Sequence, residues 1–295
     1  MLQSPFGSVE TLFMEFSLVR SFFRKSFAAS IFTVAFAVFA AGQNAGPSPT
    51  PKSTPAATPT PVVNAKDAIK NPTADQIAET TIFVIGGGGG RILLNQIRKT
   101  SLERGRVSVM NAEGKMEQAS YQKFTTRGDT LAKERIRLDQ EFPTASYSLV
   151  YADEKTFGIF KDQVFTPRED ASRSFQNQIF FGLDTLLRYK ENESKIELGG
   201  KDKIAGVDLH IVDVTDKQGR KSRFYISAKS FRIMMMSYED QGIKYKRKYY
   251  DYNLAQGTLV PFRTVLYAGD KIVEETDIGT VTFGQKIEEN TYASN

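Results

Sequence analysis

From about Arg106 to the end of this 295-residue chain, apolar residues recur at every second position in runs cut by short polar turns. No other feature constrains the fold as much. Alternation turns one side of each run toward a core and the other toward water, as in half-buried β-strands. Breaks fall at Glu113-Gly114 and Gly128-Asp129. Further breaks follow at Lys217-Gln218-Gly219, Asp240-Gln241-Gly242, Gln256-Gly257 and Gly269-Asp270, the spacing of successive antiparallel hairpins. No solenoid or propeller period is present. The expected fold class is therefore α+β, a large, strongly curved antiparallel sheet with a few helices.

One helical stretch interrupts the pattern, and others precede it. Over Pro167–Lys190, Phe175, Ile179, Leu183, Leu186 and Leu187 recur at helical spacing, and Thr166, Pro167 and Glu169 supply an N-cap, a first-turn proline and a capping-box acid. This helix needs an apolar partner, and the concave face of the sheet offers one. Nearer the N-terminus, Ala74, Ile77, Ala78, Ile82 and Ile85 share a helical face behind a Thr73–Gln76 capping box. Five glycines, Gly86 to Gly90, then lead into a second short helix with Leu93, Leu94 and Ile97 on one side. A Walker loop would need a lysine and a hydroxyl where Ile92 and Leu93 stand, and a dinucleotide fingerprint would need glycine where Arg91 stands. The run thus reads as a left-handed C-cap at Gly86, with surplus glycines expected to act as a hinge.

The first 42 residues read as a signal peptide. Arg20, Arg24 and Lys25 precede a charge-free run, Ser26 to Ala41, that ends in small residues suited to cleavage. The run is short for about 30 Å of hydrocarbon, which disfavours the alternative of an uncleaved anchor. Residues 43–66 alternate Pro with Ser, Thr and Ala and read as a disordered tether. Residues 67–295 are left as a single domain. The expected location is the periplasm.

Composition excludes several chemistries. With no Cys there are no disulfides, thiolate metal sites or Cys nucleophile, and one His excludes any centre that needs two imidazoles. A Ser–His–Asp triad needs only one His, but no Gly-x-Ser-x-Gly elbow is present. His210 sits among apolar strand residues and reads as structural. Asp213, Asp216, Glu239 and Asp240 fall at strand ends, and no EF-hand calcium loop is present. No enzyme activity, metal or cofactor is expected. The net charge of +5 sets 39 basic against 34 acidic residues, which is no nucleic-acid signature. In Lys244–Tyr252 the lysines 244, 246 and 248 share one strand face while Tyr245, Arg247 and Tyr249 share the other, so the lysines read as a solvated face.

One stretch reads either as ordinary core on both strand faces or as the lining of a ligand site. Met234, Met235 and Met236 are consecutive, and on a regular strand Met234 and Met236 face one way, where pliant thioethers suit an adaptable apolar cavity. Phe224 and Ile226, and Phe262 and Leu266, add one-sided apolar rows.

The C-terminal third resembles the periplasmic lipoprotein-carrier (Lol-type) superfamily. The resemblance is carried by Phe224-Tyr225-Ile226-Ser227, the strand Arg232 to Tyr238, Tyr250-Asp251-Tyr252, and Gly257-Thr258-Leu259-Val260-Pro261. The helix–Gly turn–helix before the first strand fits the same layout. What the resemblance implies is an open half-barrel, here of roughly eleven strands, with helices plugging its concave side. It also implies a cavity for lipid or lipoprotein acyl chains, lined here by Phe175, Ile179, Leu183, Phe224, Ile226, Met234, Met236, Phe262 and Leu266. It carries over no catalytic residue. A monomer with an envelope membrane protein as partner, and no nucleic acid, is the expectation; a half-barrel filled by its own side chains is the alternative.

Overall fold

The computed structural model describes residues 71–293 apart from Ala112. The expected signal peptide (1–42) and tether (43–66) lie outside the described residues. The described chain builds one antiparallel sheet of thirteen strands. In chain order these are β1 (Thr100–Met110), β2 (Met116–Thr126), β3 (Arg135–Glu141), β4 (Ser146–Ala152), β5 (Lys155–Phe160), β6 (Gln163–Phe165), β7 (Lys195–Ile204), β8 (Val207–Thr215), β9 (Lys221–Ser227), β10 (Ile233–Asp240), β11 (Ile243–Ala255), β12 (Thr258–Ala268) and β13 (Lys271–Phe283). The helices are α1 (Ala74–Ile85), α2 (Gly90–Ile97), α3 (Glu169–Phe180) and α4 (Leu183–Leu187).

The strand order is β6-β5-β4-β3-β2-β1-β13-β12-β11-β10-β9-β8-β7. The chain enters at the middle of the sheet, meanders to one edge, crosses to the other edge through α3 and α4, and meanders back to the middle. Strand twist of about 20° per step accumulates over so many strands, and a sheet this wide cannot stay flat. Register shifts at Arg104/Gly105, Leu198/Gly200, Ile233/Met235 and Leu266/Tyr267 add local bends. The sheet is an open half-barrel with helices on its concave side.

The turns fall where the alternation breaks. Gln241-Gly242 and Gln256-Gly257 both have left-handed backbone, as two-residue hairpins demand. The count of thirteen exceeds the expected eleven. The strands missing from the alternating stretches are the two edges: β6 is exposed throughout and β7 nearly so, so neither carries a one-sided apolar row.

The helix expected over Pro167–Lys190 is broken. Its N-cap is Arg168 rather than Thr166 and makes no side-chain cap. Glu169 and Asp170 instead put negative charge in the first turn. After Phe180 the chain is extended at Gly182 and restarts as α4. The break serves two cores. Phe175 and Ile179 pack with Val107, Ile136, Leu138 and Leu149 in one cluster. Phe181, Leu186 and Leu187 pack with α1, Val212, Phe224 and Met236 in the other, and the Phe181 ring stacks on Tyr238 at 4.2 Å. One straight helix could not point at both.

α1 follows its sequence pattern. Ala74, Ile77, Ala78, Ile82 and Ile85 are buried, and the Thr73–Gln76 capping box is made in both directions. The glycine run differs from expectation. Gly86 is not left-handed (φ −78°); Gly87 is, at φ +61°, and a Cβ there would lie 1.9 Å from the Gly257 carbonyl oxygen. Gly87 thus makes a close backbone crossing over the β11–β12 turn, which argues against a free hinge at that point. Among the described residues no single helix is long and apolar enough to cross a membrane.

Candidate functional site

A cavity of about 270 Å³ lies between α3 and the strands around β1, β2, β3 and β13. Its apolar wall includes Val107, Ile136, Leu138, Phe175, Ile179 and Ile278. Phe175 and Ile179 project from one face of α3, four residues apart as helical geometry requires. Leu183, at the start of α4, borders the same space.

The lining also carries charge. Glu103 pairs with Lys123 at 3.3 Å, Asp184 with Arg127 at 2.7 Å, and Glu274 with Arg247 at 2.7 Å. Glu134 pairs with Arg188, which also donates to the Gly128 and Asp129 carbonyls. Buried charges persist when they are paired and hydrogen-bonded in this way. Burial, then the Asp184 carboxylate, pushes Glu134 up to about 7 against the pull of Arg188 and Arg127. Burial works to raise Asp184 as well, but Arg127, Arg98 and Arg188 outweigh it and hold that carboxyl low. Gln178 on α3 donates to Glu274 at 3.1 Å, which ties the helix to the sheet across the cavity.

Arg98 closes the α2 end. Its backbone N–H caps the helix on Leu94 O, and its guanidinium donates to Leu259 O at 2.9 Å and to Thr258 Oγ1 at 3.3 Å. The Phe283 ring lies 5.2 Å from it. Burial brings this guanidinium down to about 10, so it stays charged at neutral pH.

The nine residues expected to line one cavity separate. Phe175, Ile179 and Leu183 border it. Phe224, Ile226, Met236 and Leu266 are buried with α1 in a filled core. Phe262 packs in a third cluster with Val260, Ile278 and Phe283. Met234 is 37% exposed and borders a separate open depression with Arg232 and Tyr250. The reason is the register shift at Ile233/Met235: it turns Ile233 inward with Met236 and puts Met234 outside. Tyr250-Asp251-Tyr252 lies beside this step. Asp251 is left-handed, Tyr252 faces Pro261, and the Tyr252 hydroxyl donates to Ile233 O at 2.7 Å beside the irregular step.

The polar lining was not anticipated. A signal existed for Arg247, which shares its strand face with Tyr245 and Tyr249, and for Asp184 and Arg188, four apart among leucines. His210 is buried and stacked on Phe231 at 6.0 Å. Asp213 and Asp216 pair with Arg223 and Arg220. Among the described residues no group of His, Asp and Glu is arranged to hold a metal ion.

No family model and no curated protein sequence matches the chain. Solved structures do. A LolA superfamily protein from Nitrosomonas europaea superposes with a TM-score of 0.53 at 10% identity, over 76% of this chain and 98% of that one. The chain shares its fold with that protein. A DUF1329 family protein from Desulfovibrio piger gives a TM-score of 0.51 at 13% identity, again over 76% of this chain and 98% of that one. At these identities the likeness is one of fold. The Lol-type half-barrel expected from Phe224–Pro261 is the architecture found, and the cavity lies on the concave side of that LolA-type sheet.

Proposed function

We propose that this chain is a non-enzymatic protein of the periplasm or cell envelope that binds an apolar chain between the LolA-type sheet and α3. The observation that carries this reading is the cavity beside Phe175 and Ile179, with its wall of Val107, Ile136, Leu138 and Ile278. Burial of apolar surface, about 25 cal/mol per Å², supplies the driving force. The volume sits just below the usual range for small-molecule sites, about 300–1,000 Å³, so a single chain suits it better than several. Lipid or a lipoprotein acyl chain is the proposed class of ligand, with an envelope membrane protein as the proposed donor or acceptor.

The second reading is a structural or interaction module whose half-barrel fills itself. It is favoured by Phe224, Ile226, Met236 and Leu266, which fill the space beneath α1 with the protein's own side chains. Native mass spectrometry and solvent extraction of protein secreted to the periplasm, with titration of a fluorescent fatty acid, separate the two. Co-purifying lipid, together with probe binding that Ile179→Trp abolishes by filling the cavity, supports the first. Ligand-free protein that ignores the probe supports the second.

A further inference from the structure

Four cations and four carboxylates line the cavity, but they do not all pair with one another, because Glu134 takes its partner, Arg188, from outside the lining. Each of the four lining carboxylates, Glu103, Glu134, Asp184 and Glu274, has a cationic partner of its own. Those partners are Lys123, Arg188, Arg127 and Arg247. Arg98 is the cation left over. It is only 9% exposed, and its bonds go to a neutral hydroxyl and a backbone carbonyl. Its Nη1 donates to none of the described residues, whereas Nε and Nη2 are both engaged. Asp184 is the carboxylate that acts on Arg98 most, but it is bridged to Arg127, and a buried guanidinium without an ion pair of its own is costly. No acceptor among the described residues can use the free edge of the fork. A carboxylate or phosphate oxygen can.

Arg98 also lies at one end of the apolar wall. It rests on Phe283, which pairs with Ser101, whereas Val107 pairs with Thr276. Those two levels of β1 are six residues apart, a span of about 20 Å. A cation at one end and the apolar patch of Val107, Ile136, Leu138, Phe175 and Ile179 at the other, with the Glu103–Lys123 pair between them, suit an amphiphile whose head sits at Arg98.

We propose that the ligand of this cavity carries one anionic group, a carboxylate or a phosphate, on a single apolar chain, and that Arg98 is its counter-ion. This rests on the apolar-chain reading above. The ligand class is thus narrowed to anionic amphiphiles, such as free fatty acids or alkyl phosphates.

The test uses the full chain and three competitors of one chain length, decanoate, decyl phosphate and decanol, displacing a fluorescent fatty acid at pH 8. The expected result is that one or both anions bind at least tenfold more tightly than decanol; their order tells which anion the site takes. Arg98→Met should remove that preference and leave decanol affinity within twofold, with folding checked by thermal melting. Arg98→Lys keeps the charge but loses the fork. It should retain the preference, weakened several-fold, and it keeps the test decisive if Arg98→Met does not fold. Equal binding of decanol and the anions to the wild type overturns the proposal, as does a preference that both variants keep undiminished. If none of the three competes, the apolar-chain reading itself fails and the anion site falls with it.

Discussion

Replacing Gly87 by alanine should destabilise the protein far more than the same change one residue later. At Gly87 two penalties combine. The backbone is left-handed at φ +61°, which costs a residue with a Cβ about 1–2 kcal/mol. The new methyl would also lie 1.9 Å from Gly257 O, a backbone atom fixed in the β11–β12 hairpin, so the relief must come from main-chain movement. Overpacking of that kind costs about 1–3 kcal/mol more. Gly88 has φ +88°, but its nearest neighbour, the Phe83 ring, is 3.8 Å away, so only the first penalty applies. Gly87→Ala should therefore lie about 1–3 kcal/mol below Gly88→Ala in urea denaturation followed by circular dichroism. Hydrogen exchange supplies the second readout. If the turn lifts off the hairpin instead of straining, α1 amides lose protection in Gly87→Ala while the midpoint moves little. Two variants with equal midpoints and equal α1 protection would show that the crossing does not hold the helix, and the hinge reading of the glycine run would return.

The Arg247–Glu274 pair should behave as a buried unit: Arg247→Met alone costs about 3–5 kcal/mol, whereas the double change Arg247→Met with Glu274→Leu recovers most of it. A single variant as stable as the double one would show that the pair is not desolvated. Glu134 should give an acid-side signature, because a carboxyl raised from its ordinary 4.5 to about 7 holds its proton more tightly in the folded state. Its contribution is therefore fully present below pH 4.5 and is lost as pH rises toward 7. Wild-type melting temperature should fall relative to Glu134→Gln between pH 4.5 and 7.5, and a constant difference across that range would contradict the assignment.

Features governed by local chemistry were legible in the sequence. The α1 face, its capping box and the hairpin turns each depend on a few adjacent residues, and all stand where spacing puts them. Features decided by tertiary competition were not. The break at Phe181-Gly182 exists because two separate cores claim the two ends of one apolar run. Met234 points outward because a register shift at that step reverses the parity of its strand, and strict alternation cannot reveal a single extra residue. The edge strands escaped notice because an edge has little to bury. The cavity shows the sharpest divide. Its apolar residues on α3 followed from helical spacing, while its ion pairs join residues far apart in the chain, such as Glu134 with Arg188 and Arg247 with Glu274. Charge in a sequence implies solvent until a partner is seen.

The seam between β1 and β13 has a consequence for assembly. It joins the first strand to the last, with Ser101 opposite Phe283. Everything between can form by meandering, but the seam cannot close until nearly the whole chain has been made. Until then the sheet has two more open edges than the finished protein, one along β1 and one along β12. Each is a template for a strand from another copy. Loss of the last strand would therefore do more than shorten the protein. It would leave those two edges unsealed, and the products to look for are strand-exchanged dimers and aggregates.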